Sequence, residues 1–254
     1  CKIKNMYRYA LTIEYDGSRF HGWQVQNNIT TVQGVIFEAI RKLDVNCKNF
    51  VGAGRTDAGV HAIGQVAHVD LAIKRDCETV QNAINFYLNK HPISILNAKI
   101  VRKDFHARFS AMKRHYTYKI FSRKTNLTFE RSQYWHIRNS LNILNMELAA
   151  NYLLGKHDFT TFRSSICQAS SPVKTIDTIN INSEEIRDGI IYQLNFSAKS
   201  FLHHQVRSIV GCLEKVGCGK WGPEKIQEIL LSKERSQCAA LAPSSGLYLT
   251  KIEY

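Results

Sequence analysis

The chain has few of the features of secreted or membrane proteins. Its seven cysteines are an odd number and include no C-x-x-C pair, so neither a disulfide framework nor a zinc ribbon is expected. No apolar run approaches the ~20 residues that a membrane-spanning helix needs, and the first residues, Cys1–Asn5, lack the apolar core of a signal peptide. We therefore expect a soluble cytoplasmic protein with reduced thiols and no membrane partner.

Acidic residues are scarce relative to basic ones. The 34 Lys and Arg residues exceed the 21 Asp and Glu residues and give a net charge of +13, which favours a polyanionic partner, nucleic acid first. Basic residues are frequent between Arg102 and Lys124, where they alternate with aromatic side chains that include Tyr116 and Tyr118. Such a segment can bind phosphates and stack bases, and an ordinary solvated face is an equally good interpretation.

Hydrophobic periodicity predicts the secondary structure of the first half. Apolar residues alternate where a strand is expected and recur at helical spacing elsewhere, which gives the order β-α-β-β-α-β. The predicted elements are Tyr7–Asp16, Val32–Leu43, Phe50–Ala53, Ala62–Leu71, Glu78–Leu88 and Ile93–Val101.

The second half repeats this order. Its predicted elements are Arg114–Ser122, Ile143–Leu154, Thr175–Ile181, Ile190–Phe201, His204–Val216, Pro223–Leu231 and Gly246–Glu253. We predict an α+β protein of two ferredoxin-like domains, 1–105 and 106–254, whose sheets join into a mixed, largely antiparallel central sheet beside a basic cleft. This architecture serves many functions, so function must be argued from particular residues.

A glycine-rich loop, VGAGRTDAGVHA at residues 51–62, stands between two predicted strands. Glycine tolerates positive φ and close backbone approach, so the Arg55 and Asp57 side chains can project from a tight, fixed loop. The spacing also fits an ordinary turn in which Asp57 accepts a local backbone hydrogen bond. The loop by itself leaves both interpretations open.

Several ordered strings resemble the TruA-type tRNA pseudouridine synthase family. They span nearly the whole chain and are IEYDGSRFHGWQ (13–24), GRTDAGVHAIGQVAH (54–68), DFHARFSA (104–111), RHYTYKI (114–120), DFTTFR (158–163), FLHHQVRSIVG (201–211) and GLYL (246–249). The resemblance implies an isomerase that converts uridine to pseudouridine at positions 38 to 40 of the tRNA anticodon stem-loop. It also implies a homodimer that needs no metal or organic cofactor.

The family motifs assign a role to five residues. By its place in GRTDAG, Asp57 is implied to be the catalytic carboxylate, attacking either C1′ of the ribose or C6 of the pyrimidine. Tyr116 is implied to stack on the target base, Arg207 to be the cationic partner of Asp57, and Arg55 to contact a phosphate or the space left by the flipped nucleotide. Leu247 is implied to pack against the uracil edge.

Structural interpretations of three of these residues stay open. Tyr116 and Tyr118 face the same side of a strand, so both can be core aromatics. Arg207 can be an ordinary surface arginine, on a helix whose apolar stripe consists of Val206, Ile209, Val210, Leu213 and Val216. Leu247 can be a buried strand leucine.

The histidines do not predict a metal site. Side chains at consecutive helical positions diverge by about 100°, so His203 and His204, placed on the predicted helix, are not expected to bind one ion together. His61 and His68 are expected to be hydrogen-bonded core or RNA-facing histidines.

Two other functions are compatible with the sequence. One is an RNA-binding protein or tRNA-folding chaperone without turnover. The other, a glycosidase-like hydrolase, needs a second carboxylate that none of the matched strings supplies.

Overall fold

The computed structural model describes residues 6–186 and 188–254. The segment Cys1–Asn5, which is expected to lack the apolar core of a signal peptide, lies outside the described residues. The chain divides into two compact units: one contains residues 6–112 together with Leu249–Tyr254, and the other is Lys113–Tyr248. No helix in the described part of the chain has both the length and the apolar character needed to cross a bilayer.

The first unit has the predicted order β-α-β-β-α-β. Its elements are β1 (Tyr7–Tyr15), α1 (Val32–Leu43), β2 (Lys48–Gly52), β3 (His61–Leu71), α2 (Cys77–Leu88) and β4 (Ile93–Ile100). The strands lie in the order β4-β1-β3-β2, all antiparallel, and the last strand of the chain, β10 (Leu247–Glu253), also lies beside β3. This is the strand order of a ferredoxin-like domain.

Polar caps fix where the two helices of this unit begin. The Thr31 hydroxyl accepts the Gly34 N–H at the start of α1, and Asp76 accepts the Thr79 N–H at the start of α2. The helices contact each other. Their buried residues recur at helical spacing: Val32, Ile36, Ala39 and Ile40 on α1, and Val80, Ile84 and Leu88 on α2.

Hydrogen bonds hold the segment after β4 and the end of the chain within the first unit. Ala107 donates its N–H to Nδ1 of His68 at 3.1 Å, and Met112 donates to the carbonyl of Glu253 at 2.8 Å. The Tyr254 hydroxyl donates to the carbonyl of Ala107 at 2.9 Å. The predicted boundary between residues 105 and 106 therefore lies inside this unit.

The second unit contains the elements predicted from Arg114 to Leu231 and two short additional strands. Its elements are β5 (Lys113–Ser122), β6 (Trp135–Ile137), α3 (Ile143–Asn151), β7 (Gly155–Asp158), β8 (Val173–Ile186), β9 (Gly189–Ala198), α4 (Gln205–Gly217) and α5 (Lys225–Ser232). The strand order is β5-β9-β8-β7, antiparallel throughout, with β6 parallel to β5. The predicted α+β fold class is confirmed. Strands β6 and β7 have only three and four residues, too few for a periodic signal.

Helix α4 has the apolar face that the sequence predicts. Its buried residues include the whole predicted stripe, Val206, Ile209, Val210, Leu213 and Val216. The helix begins after His204, whose φ of 67° is left-handed and cannot belong to a right-handed helix. His203 and His204 therefore precede α4, and their placement on the helix in the sequence-based prediction is wrong.

We predict that protonation of His68 contributes to acid destabilisation of the first unit. Burial lowers the pKa of His68 to about 4, assisted by the positive charges of Arg8 and His106 and opposed by the negative charge of Asp70. An unfolded histidine titrates near pH ~6.5, so the unfolded chain binds more protons between these two values. The free energy of unfolding should therefore fall as the pH is lowered from about 6.5 towards 4.

The variant His68→Asn, which retains a side-chain acceptor for the Ala107 N–H, should lose this part of the pH dependence. Urea denaturation at pH 7.5 and pH 5 measures it, and His91→Asn, at an exposed histidine, is the control. An identical pH dependence in wild type and His68→Asn would contradict the prediction.

Candidate active site

The loop between β2 and β3, residues 53–60, is anchored at its start by a buried amide. Gln65 of β3 is fully buried; its Nε2 donates to the carbonyl of Gly54 at 2.8 Å, and its Oε1 accepts the Gly54 N–H at 3.3 Å. Ala53 donates its N–H to the carbonyl of Val66 at 2.8 Å. Both polar groups of the Gly54 backbone are therefore satisfied by one side chain of the neighbouring strand.

Thr56 fixes the middle of the loop. It is buried, its hydroxyl shares a 2.8 Å hydrogen bond with the Tyr15 hydroxyl at the end of β1, and its carbonyl accepts the Trp23 N–H at 3.0 Å. Gly22, with φ of 88°, packs so closely that a Cβ there would lie 2.7 Å from the Thr56 carbonyl oxygen. The residue before Asp57 is thus fixed through both its side chain and its backbone.

Asp57 begins a tight turn. Its carbonyl accepts the Val60 N–H at 3.1 Å, and Gly59, with φ of 77°, donates its N–H to the carbonyl of Phe20 at 3.2 Å. Asp57 is half-buried, whereas Arg55, two residues earlier, is exposed. The loop therefore presents one carboxylate and one cation from a backbone with little freedom to move.

Two glycines in and beside the loop are required for different physical reasons. Gly59 needs its positive φ, which side chains other than glycine adopt at a cost. Gly52 has a buried Trp23 ring against its Cα, and a Cβ there would lie 2.6 Å from that ring. The predicted use of glycine for both positive φ and close approach agrees with the structure.

In the second unit, the two tyrosines of β5 differ. Tyr118 is fully buried, and its hydroxyl donates to the carbonyl of Pro243 at 2.6 Å. Burial raises the pKa of Tyr118, and the positive charge of Arg207 opposes that rise. Tyr116 is half-buried and meets Phe201 edge-on, with ring centroids 5.3 Å apart. The core interpretation is therefore correct for Tyr118, while part of the Tyr116 side chain remains accessible.

Arg207 is oriented by the segment that precedes β10. Its Nε donates to the carbonyl of Ala242 at 2.8 Å, and the Arg207 carbonyl accepts the Ala242 N–H at 3.3 Å. One turn further along α4, a Cβ on Gly211 would lie 2.2 Å from the carbonyl oxygen of Ala240. Arg207 and Gly211 share one helix face, and that face packs on this segment. Leu247, at the start of β10, is 6 % exposed.

The histidine predictions have mixed outcomes. His61 and His68 are buried, and each accepts a backbone N–H at Nδ1, from Gly17 and Ala107 respectively, at 3.1 Å. Their interpretation as hydrogen-bonded core histidines is confirmed. The rings of His203 and His204 stack with centroids 3.9 Å apart. The argument that these two side chains diverge on a helix is therefore wrong, because neither residue lies on α4.

Gln65 is the residue of the site region that the sequence analysis did not single out. Along β3 the residues around it are largely buried, and Gln65 is an uncharged polar residue among them. A buried amide must find hydrogen-bond partners. The sequence signal that could have identified Gln65 is a polar residue at an inward-facing strand position close to a glycine-rich loop.

Comparison with known proteins identifies the family. A sequence profile described as tRNA pseudouridine synthase matches residues 11–110 and 149–254. The chain is 49 % identical to tRNA pseudouridine synthase A of Maricaulis maris over 249 residues, covering 98 % of each chain. It is 48 % identical to the protein of the same name from Paracoccus denitrificans, covering 98 % of this chain and 97 % of the relative.

A solved structure titled as a Cbf5-Nop10-Gar1 complex gives a much weaker match. It covers 81 % of this chain and 45 % of that one, with a TM-score of 0.35 and 10 % identity. A match this weak does not indicate a function.

The fold and the matched motifs define an RNA-modifying isomerase of the α+β class. The chain belongs to the tRNA pseudouridine synthase family, whose members convert uridine to pseudouridine in tRNA. The resemblance drawn from the sequence motifs is thereby confirmed, and so is the prediction of an isomerase.

We predict that Gln65→Leu loosens the start of the loop. The substitution leaves the Gly54 N–H and carbonyl without their buried partner, which should lower the free energy of unfolding by roughly 2 to 4 kcal/mol. Pseudouridine formation should fall more than the loss of folded protein explains. Urea denaturation and a tRNA isomerisation assay at a temperature where the variant is folded measure the two effects.

Gln81→Leu is the matched control. Gln81 also donates to backbone carbonyls, those of Ile95 and Leu96, but it lies on α2 and is only half-buried. If both variants lose equal stability and retain equal activity, Gln65 has no special part in fixing the loop.

Proposed function

We propose that this chain isomerises uridines 38 to 40 of the tRNA anticodon stem-loop, with Asp57 as the catalytic carboxylate. The observation that carries the proposal is the backbone around Asp57, which is fixed by Thr56 on one side and by the Val60 and Gly59 hydrogen bonds on the other. A nucleophile is most effective when its geometry is set before the substrate binds. The family's motif supports the choice of this carboxylate.

The reaction requires one bond to break and another to form on the same nucleotide. The base is detached from C1′ of the ribose, turned, and rejoined through C5, from which a proton is lost while N1 gains one. The substrate and product are isomers, so no cofactor and no metal are part of the proposal. The Asp57 carboxylate adds either to C1′ or to C6 and is released unchanged at the end.

Four further residues complete the proposed site. Tyr116 stacks on the extruded base, a contact worth roughly 1 to 3 kcal/mol, which is similar to the few kcal/mol that extrusion costs. Arg207 is the proposed cation that keeps Asp57 ionised when the pocket is closed over it. Arg55 binds a phosphate or occupies the space left by the flipped nucleotide, and Leu247 packs on the uracil edge.

The proposal assigns these roles to two domains. The N-terminal domain, predicted as 1–105, carries the Asp57 loop, and the C-terminal domain, predicted as 106–254, carries Tyr116 and Arg207. We further propose a cytoplasmic homodimer, in which a basic cleft holds the tRNA.

We predict that Asp57→Asn abolishes catalysis and retains binding. The amide cannot act as an anionic nucleophile, so product formation should fall by about a thousandfold or more while tRNA affinity changes by a few-fold at most. Carbodiimide-dependent reverse-transcription stops on unmodified tRNA measure the product, and filter binding measures the affinity.

Asp76→Asn is the control for this variant, because Asp76 is an N-cap on α2 and asparagine also caps helices. If the wild-type protein gave reverse-transcription stops only outside the anticodon arm, the proposed target would be rejected. Binding without any product in the wild type would favour the chaperone hypothesis.

We also predict that Arg55 contributes to tRNA affinity through its charge. Arg55 is exposed on the loop, so Arg55→Ala should weaken binding and reduce the slope of log affinity against log salt by about 1. Arg41→Ala, at an exposed arginine paired with Glu38 on α1, should leave that slope unchanged. Filter binding between 50 and 200 mM salt compares them, and equal slopes for Arg55→Ala and wild type would show that Arg55 does not contact a phosphate.

A further inference from the structure

Two cysteines of the second unit lie in contact with each other. Cys212, on α4, and Cys238, after the turn Arg235–Gln237, have their Sγ atoms 3.3 Å apart. Both are free thiols, as are the other described cysteines, Cys47, Cys77, Cys167 and Cys218. A disulfide has an S–S distance of about 2.05 Å, so a shift of little more than an ångström would bring the sulfurs to bonding distance.

The backbone around the two thiols keeps them together. Arg235 donates from Nη1 to the Ser208 hydroxyl at 2.9 Å and to the carbonyl of Thr161 at 3.3 Å. Ala239 donates its N–H to Sγ of Cys212 at 3.4 Å. The segment that carries Cys238 is thus bound to α4 and its neighbours on both sides of the cysteine, by Arg235 before it and by the Ala239 N–H, which is bonded to Cys212 itself, after it.

The two sulfurs differ in reactivity. A hydrogen bond from Cys212 and the positive charge of Arg235 lower the pKa of Cys238, although burial opposes this. The hydrogen bond to Cys238 and burial raise the pKa of Cys212. Cys238 is half-buried, whereas Cys212 is fully buried. A partly exposed cysteine whose pKa is lowered, 3.3 Å from a buried thiol, has the arrangement of an attacking and a resolving cysteine.

We propose that Cys238 and Cys212 form a reversible thiol-modification site that reacts with low-molecular-weight disulfides and closes to an intramolecular disulfide. The Cys238 thiolate attacks one sulfur of the small disulfide, whose S–S bond breaks and releases one thiolate. Cys212 then attacks the Cys238 sulfur as a thiolate and releases the second small thiol. Two protein thiols are oxidised, one small disulfide is reduced to two thiols, and their two protons pass to these products.

The disulfide would tie the segment before β10 to the helix that carries Arg207. Arg207 already bonds to Ala242 of that segment, so the covalent link joins parts that are packed together in the reduced protein. Because the sulfurs need to move only a little, the disulfide should form without unfolding this unit.

The full chain is incubated with glutathione disulfide, alkylated and digested with trypsin without reduction. The expected product is a linked pair of peptides, residues 208–215 and 236–251, and it should disappear after dithiothreitol treatment. Cys218 lies in the separate peptide 216–220, which makes it an internal control. The Cys212–Cys238 link should exceed any link to Cys218 by roughly tenfold or more.

Single variants test the order of the two steps. Cys212→Ala should stop at a glutathione adduct on Cys238, and Cys238→Ser should give neither that adduct nor the link, while Cys218→Ser should behave like wild type. A wild type in which both residues remain thiols, or in which Cys238 retains glutathione without closing, would overturn the proposal. The wild-type result is decisive even if a variant fails to fold.

Discussion

The hydrogen bonds that pin the loop before β3 are the constraint on which the rest of the site depends. Gln65 satisfies both backbone groups of Gly54, and the Thr56 hydroxyl and carbonyl bond to Tyr15 and Trp23. These partners come from β1, from β3 and from the segment between β1 and α1. The Asp57 backbone is therefore set by the packing of the first unit as a whole, and the ferredoxin-like sheet serves as the rigid support for one carboxylate.

The second unit orients the proposed site residue Arg207 in a comparable way. The carbonyls of Ala242 and Pro243 accept from Arg207 and Tyr118, so one short segment orients the arginine of α4 and anchors the core tyrosine of β5. Tyr118 is buried in the core, so Tyr116 is the partly accessible ring of the pair. The proposed reaction on one extruded base needs few functional groups, but each of them must be held in position before the base arrives.

The thiol pair lies on the same two elements. Cys212 is on α4 and Cys238 is on the segment that leads to Ala242, so their contact follows from the packing that orients Arg207. The seven cysteines include no C-x-x-C pair, so their spacing does not predict this contact. The two residues are 26 positions apart, and only the return of the chain onto α4 brings their sulfurs together.

Much of this protein could be predicted from its sequence, because the features concerned are local. Periodicity located the long strands and the apolar face of α4, and the ordered motifs identified the family and the Asp57 loop. Contacts between distant segments required the structure. The structure shows that Tyr118 is buried in the core while Tyr116 is partly accessible, and that Gln65 anchors the loop. It also shows that His203 and His204 precede α4 and that Tyr254 packs in the first unit. Periodicity tells which side of an element is buried, whereas the partner on that side depends on how distant elements pack.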